Sequence, residues 1–239
     1  MKFSLPFVLG VLAPLSVLAE AVEAPGVITS EREAIISTQI SAQITNLPFK
    51  PGEAFQEGDV LVSFDCGRFL AEFKEARASL GAAAARHKVN KELDRYGAIG
   101  KGEVSASGAE TGAAAARAEA LGEFVKLCEV RAPFDGRVVS IASDLHETPS
   151  EGEPLIEIID ESALVIEVIA PSIWLRWMKP GALMKFEVRE TGDLLDAEVI
   201  RLGAKVDPVS QTIDVVARIV DRPDYVLAGM SGRAVLNAE

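Results

Sequence analysis

The side chains best suited to chemistry in this chain are its two cysteines, Cys66 and Cys128. A cysteine pair can form a disulfide in an oxidising compartment, or each can lie in a core as a small apolar residue. The two stand at opposite ends of a long alanine-rich segment, so a bond would tie the ends of that segment together. We expect the bond, because the N-terminus described below predicts export.

The two histidines, His87 and His146, are the next candidates, because imidazole can bind a metal or move a proton. His87 falls inside the alanine-rich segment and is interpreted as a packed core residue. His146 lies among acidic residues, but no second histidine or cysteine is near enough in sequence to complete a metal site. The sequence also lacks a nucleophile-elbow motif and a phosphate-binding glycine loop. We therefore predict no enzyme activity, no metal and no cofactor.

Two tryptophans, Trp174 and Trp177, lie on a predicted short helix from Pro171 to Met178. Core packing is the default interpretation of this pair. The alternative is a contact surface for a partner protein, because tryptophan is enriched at the energetic centres of interfaces.

The net charge limits which partners the protein can bind, and the N-terminus indicates where the protein is located. The formal net charge is −12, and the sequence has no basic patch, so nucleic-acid binding is disfavoured. Residues 1–19 resemble a secretory signal: Lys2 precedes an almost wholly apolar run that ends in small residues. An uncleaved anchor is the alternative interpretation. We expect an exported, periplasmic protein.

An internal repeat organises the chain. The glycine turn and strand around Gly58 recur around Gly152, and the same pattern of short strands and turns covers residues 27–65 and 129–160. Each half alone would be a small sheet with one exposed apolar face. We expect the two halves to pack face to face as one β-sandwich.

Residues 66–128 separate the two halves and predict an antiparallel helical hairpin. Small and apolar residues recur at three- and four-residue spacing in both arms, which is typical of a coiled-coil seam. The glycines of Gly97–Gly102 disfavour helix and predict the tip. The seam places His87 near Ser107. It predicts three further facing pairs: Cys66 with Cys128, Phe69 with Val125, and Phe73 with Leu121.

Residues 161–239 contain short strands at close, regular spacing, which predict a small β-barrel. The whole chain is therefore predicted to be mainly β, as a split sandwich interrupted by a coiled-coil hairpin and followed by a barrel.

Two motifs in this order resemble a known family. One is Val130–Val138, with the sequence VRAPFDGRV, where the second β-half begins; the other is the block from Gly203 to Gly232. Together with the split repeat, they resemble the periplasmic adaptors, or membrane fusion proteins, of the HlyD and RND-type efflux systems. The resemblance covers nearly the whole chain after the signal, and it implies that the sandwich is lipoyl-like.

The resemblance implies an adaptor in a tripartite efflux pump. Such an adaptor bridges an inner-membrane transporter, with an RND type favoured, to a TolC-like outer-membrane channel. It implies a homo-oligomeric ring, with a hexamer as the expected size. The family's tip motif maps onto Arg95, Ile99 and Ser105, although Ser105 is one residue short of the family spacing. Trp174 and Trp177 become candidates for contact with the transporter.

One departure from the family keeps alternatives open. Many members continue into a membrane-proximal domain, whereas this sequence ends at Glu239, soon after the last predicted strand. An adaptor for an ABC-type exporter or type I secretion system, and a scaffold that binds only the channel, are alternatives. A biotin or lipoyl carrier domain is disfavoured, because the hairpin occupies the place of the acceptor lysine.

Overall fold

A computed structural model describes residues 22–236, so the predicted signal over residues 1–19 lies outside the described residues. The chain forms two compact units, one from Ser30–Ala163 and the other from residues 22–29 together with 164–236. Within the described range, no helix is both long enough and apolar enough to span a membrane.

The first unit contains seven strands and two helices. The strands are β2 (Glu33–Ser37), β3 (Ile44–Asn46), β4 (Ala54–Phe55), β5 (Val60–Phe64), β6 (Glu129–Arg131), β7 (Gly136–Ile141) and β8 (Pro154–Ile159); they follow β1 (Val22–Ser30) in the chain. The helices are α1 (Gly67–Arg95) and α2 (Lys101–Lys126).

The two β-halves interlock, which differs from the expected stacking of one half on the other. One sheet has the strand order β2-β8-β7-β4 and the other β3-β5-β6, so each contains strands from both halves. Pairing is antiparallel throughout, for example with Ile36 opposite Ile156. The sandwich core lies between the sheets and includes Ile44, Leu61 and Leu155, each at most 1 % exposed. Because every sheet needs both halves, neither half can form its sheet alone.

The repeat predicted from sequence extends to individual hydrogen bonds. Gly58 and Gly152 have the same left-handed backbone, with φ of 86° in both. In each turn a carboxylate accepts a hydrogen bond from the backbone N–H three residues before it. Asp59 accepts from Gln56 at 2.9 Å, and Glu153 accepts from Ser150 at 2.8 Å. Left-handed backbone favours glycine, which explains why both copies carry one at this position.

The VRAPFDGRV motif joins the two halves. The Asp135 carboxylate accepts a hydrogen bond of 2.7 Å from the N–H of Glu57 in the other copy. Gly136 lies against the neighbouring strand, where a Cβ atom would overlap the carbonyl oxygen of Ile159. The motif therefore serves the interlocking of the sheets.

The second unit is a closed six-stranded barrel with the order β1-β13-β10-β11-β12-β9. Its strands after β1 are β9 (Leu164–Pro171), β10 (Leu183–Val188), β11 (Leu194–Leu202), β12 (Thr212–Ile219) and β13 (Ser231–Leu236). A single 3₁₀ turn, Ser172–Arg176, stands where a short helix was predicted.

Strand β1 belongs to the barrel. The prediction was different: the first β-half was expected to begin at residue 27, and the barrel was expected to come from residues 161–239 alone. β1 pairs antiparallel with β13, with Ala24 opposite Ala234 and Gly26 opposite Gly232. Ala24 and Ile28 point into the barrel core, at 1 % and 0 % exposure. A closed barrel has no free strand edge, and β1 is the strand that completes the closure.

Candidate functional site

The hairpin tip lies at the far end of two helices of 29 and 26 residues. At 1.5 Å per residue the longer one is about 44 Å long. α1 ends in a Schellman motif: Ala98 donates to the carbonyl of Leu93, Gly97 donates to that of Asp94, and Gly97 has a φ of 67°. The break between the helices is shorter than predicted, because Gly102 is already part of α2.

The three residues predicted at the tip lie on or near it. Arg95 is the last residue of α1 and is exposed, Ile99 is half-buried in the turn, and Ser105 is exposed in the second turn of α2. Tyr96, which was not predicted as a tip residue, is 86 % exposed at the end of α1. An aromatic residue beside the tip glycines was the available signal. The tip thus presents an arginine and a tyrosine around a partly covered apolar residue.

The hairpin seam follows the predicted register to within one residue. Phe69 stacks on Phe124, the residue before its predicted partner Val125, with ring centres 6.0 Å apart. Phe73 lies against Gly122, the residue after its predicted partner Leu121.

His87 and Ser107 meet in the seam as predicted, with 2.9 Å between Nδ1 and Oγ. The Ser107 hydroxyl donates to the carbonyl of Val104, so it accepts from the N–H of His87. The imidazole ring lies over Gly108, which explains why a small residue stands there. His87 is therefore a packing residue that fixes one layer of the coiled coil.

Two glycines of α2 test this packing. Gly112 is exposed, and a Cβ atom there would meet nothing within 4 Å, so Gly112→Ala should stabilise the unit by about 1 kcal/mol. At Gly108 the Cβ atom would lie 3.2 Å from Cε1 of His87, so Gly108→Ala should gain less or lose stability. Urea unfolding followed by far-ultraviolet circular dichroism gives both values. Equal gains from both variants would mean that His87 does not pack on Gly108.

The base of the hairpin carries the two cysteines. The structure joins Cys66 and Cys128 in a disulfide with 5.9 Å between their α-carbons. Cys66 precedes the first residue of α1, and Cys128 follows α2. Directly beside the bond, the N–H of Phe64 donates to the carbonyl of Cys128 at 2.9 Å. The covalent link therefore lies where both helices enter the sandwich.

The two tryptophans of the barrel differ in exposure. Trp174 is 1 % exposed and belongs to the barrel core, whereas Trp177 is 42 % exposed. Their rings are 5.5 Å apart. Ile173 and Leu175 flank Trp174 and are 58 % and 41 % exposed. Because Trp174 is buried, it is not available as a surface contact, and the predicted contact role is kept for Trp177 only.

The carboxylates with displaced pKa values serve turns of the barrel. The Tyr225 hydroxyl, which donates at 2.8 Å, lowers the pKa of Asp193. The backbone N–H of Ser210 is the main reason that the pKa of Asp207 is lowered, and the backbone N–H of Ser231 lowers that of Glu190. Among residues 22–236, no group of three or more potential ligands is placed to hold a metal ion, around His146 or elsewhere. Asp207 therefore caps its own turn, whereas Asp193 and Glu190 bond to residues of distant segments, Tyr225 and Ser231.

No known family model matches the chain. An uncharacterized protein of Haemophilus influenzae is 22 % identical over 142 residues, which are 59 % of this chain and 37 % of that protein. The uncharacterized protein YdhJ of Escherichia coli is 24 % identical over 184 residues, which are 72 % of this chain and 65 % of that protein. The chain thus spans less than two thirds of the length of either relative.

Solved structures identify the fold. A MacA–MexA chimera carrying the Pseudomonas aeruginosa MexA α-hairpin has a TM-score of 0.78 at 22 % identity, covering 92 % of this chain and 82 % of the chimera. The membrane fusion protein Spr0693 from Streptococcus pneumoniae R6 has a TM-score of 0.75 at 13 % identity, covering 91 % and 100 %. The periplasmic adaptor EmrA has a TM-score of 0.56 at 13 % identity, covering 90 % and 99 %.

The chain therefore has the fold of the membrane fusion proteins, or periplasmic adaptors. The predicted fold class, a split sandwich with a helical hairpin and a barrel, is confirmed.

Proposed function

We propose that the protein is the periplasmic adaptor subunit of a tripartite efflux pump, bridging an RND-type inner-membrane transporter to a TolC-like outer-membrane channel. One observation carries the proposal. The interrupted sandwich, the hairpin inside it and the barrel follow one another as in the MacA–MexA chimera, over 92 % of this chain. The adaptor would be exported and held at the inner membrane through its transporter.

The hairpin supports the channel-binding half of the proposal by its shape. Two helices packed through small residues such as Ala76, Ala83 and Ala118, all buried, make a narrow rod. At its end Arg95 and Tyr96 are exposed and free of the seam. A rod with a tip of this kind can place a small contact surface far from the sheet that carries it.

The barrel supports the transporter-binding half. The barrel has an apolar cluster in sequence, Ile173, Leu175 and Trp177, whose side chains are exposed in and next to one 3₁₀ turn. Large apolar side chains of this kind are favoured at the centres of protein interfaces. The adaptor would act without chemistry of its own, as a ring of copies that transmits the transporter's conformational change.

Substitutions at the tip test channel binding. Arg95→Glu combined with Ile99→Asp should reduce the amount of outer-membrane channel that co-purifies with the tagged protein by about tenfold. The first substitution reverses the charge at the tip, and the second replaces an apolar side chain with a carboxylate. Lys74→Glu is the matched control. It makes the same charge reversal as Arg95→Glu at an exposed position of α1 near the hairpin base, and it should leave the yield unchanged. Equal channel recovery with the tip variant would contradict the proposal.

A further inference from the structure

The outer face of the barrel contains an open groove of about 750 Å³. Its walls come from β1, β9, β12 and the end of β11. Its apolar lining includes Pro25, Val27, Ile169, Leu202, Ala204 and Val216. This volume lies within the range of small-molecule sites in proteins, about 300–1,000 Å³. The groove is therefore large enough for a compact organic molecule.

Two carboxylates stand within this apolar surface. In the β9–β12 ladder Glu167 is opposite Val216, and Ile169 is opposite Asp214. All four side chains share the outer face, so the carboxylates occupy diagonal positions, with about 7–8 Å between such α-carbons. A single positive charge between them can approach both. The side chains opposite them, Val216 and Ile169, supply the apolar contact.

Neither carboxylate of the groove is paired with a cationic side chain among the described residues. In the part of the chain that the structure describes, neither Glu167 nor Asp214 forms an ion pair or a side-chain hydrogen bond. Arg201 also lines the groove, but it is engaged in an interaction of its own. Over the same range no cluster suits a metal ion. The charge and the apolar lining together match an organic cation.

The groove is held in shape by close backbone contacts. Gly26 brings β1 against β9, where a Cβ atom would lie 2.8 Å from the carbonyl oxygen of Glu167. The N–H of Gly203 donates to the carbonyl of Asp214 at 2.7 Å. These contacts fix the backbones of both acidic residues, so the site is formed before a ligand arrives.

We infer that this groove binds lipophilic organic cations, with the charge between Glu167 and Asp214 and the apolar body against Ile169, Val216 and Leu202. The inference is independent of the bridging role, because binding is a property of the barrel alone. It gives the protein a direct contact with small molecules.

Isothermal titration of the purified protein with tetraphenylphosphonium tests the inference. Tetraphenylborate has nearly the same size and the opposite charge, and it should show no binding. Glu167→Gln with Asp214→Asn should weaken phosphonium binding by about tenfold, and added salt should weaken binding to the unaltered protein. The matched control is Asp221→Asn with Asp224→Asn, which makes the same charge change at exposed positions outside the groove. It should bind as the unaltered protein does.

Three results would overturn the inference: no saturable phosphonium binding, equal binding of the borate, or equal weakening by the control variant. Sedimentation of the same samples tests whether a second copy of this chain occupies the groove instead. If the groove variant changes self-association while phosphonium binding stays the same, the groove is an interface between copies and the inference is wrong.

Discussion

Loss of the Cys66–Cys128 disulfide should lower the free energy of unfolding of the hairpin-bearing unit by up to about 4 kcal/mol. The bond closes a loop of 62 residues, and a crosslink of that span removes much of the freedom of the unfolded chain. The cysteines are 6 % and 9 % exposed within the sandwich core. The double variant Cys66→Ser and Cys128→Ser therefore also places two hydroxyls among apolar side chains.

Urea unfolding with and without a reducing agent measures the effect. Reductant should shift the midpoint of the unaltered protein to lower urea and leave the double serine variant unchanged. Free-thiol titration of the unfolded, unreduced periplasmic protein is the companion measurement, and it should find no thiols. Two thiols per chain would show that the bond does not form in the cell, and a midpoint that reductant does not move would contradict the predicted stabilisation.

Trp174→Ala should destabilise the barrel by about 3–5 kcal/mol, whereas Trp177→Ala should cost far less. Trp174 is 1 % exposed inside the core that includes Ile166, Met178 and Phe186, so truncation leaves a large cavity. Trp177 is 42 % exposed and mainly covers its neighbour's ring. Thermal unfolding monitored by far-ultraviolet circular dichroism compares the two variants directly, because each variant removes one of the two tryptophans that fluorescence would report.

The same pair separates stability from partner contact. If Trp177 contacts a transporter, Trp177→Ala should reduce co-purification of that transporter while the protein stays folded. Ile173→Ser is a second exposed substitution in the same cluster, and it should act in the same direction. Transporter recovery that is unchanged in both folded variants would remove this surface from the proposal. Similar unfolding temperatures for Trp174→Ala and Trp177→Ala would contradict the described burial.

Local sequence signals predicted the hairpin well. The seam requires only that small and apolar residues repeat at three- and four-residue spacing, and one pair then fixes the register for the rest. His87 and Ser107 accordingly meet as expected. The turn glycines Gly58 and Gly152 were predictable for a similar reason, because a left-handed backbone leaves a strong local preference.

The pairing of strands was not predictable in the same way. Alternation of side chains tells which face of a strand is buried but not which strand lies beside it. The sequence therefore indicated two similar halves without showing that β2 pairs with β8 or β4 with β7. β1 joins β13 from the other end of the described chain, and its closeness to the predicted signal hid it further.

The different exposure of the two tryptophans was also not predictable from sequence spacing. Trp174 and Trp177 are three residues apart, and a continuous helix would place them on one face. The 3₁₀ turn ends at Arg176, and Trp177 has a φ of −133°, which carries its side chain out of the core. A helix that ends two residues earlier than predicted thus divides the pair into a core residue and a surface residue.

Photo-crosslinking in living cells from Ile99 at the hairpin tip and Trp177 on the barrel tests the bridging role most directly. Mass spectrometry of the crosslinked products identifies each partner. The proposal predicts an outer-membrane channel from Ile99 and an inner-membrane transporter from Trp177, and the transporter's class decides between RND and ABC systems. Capture of only neighbouring copies of this chain, or of nothing, from both positions would contradict the bridging role.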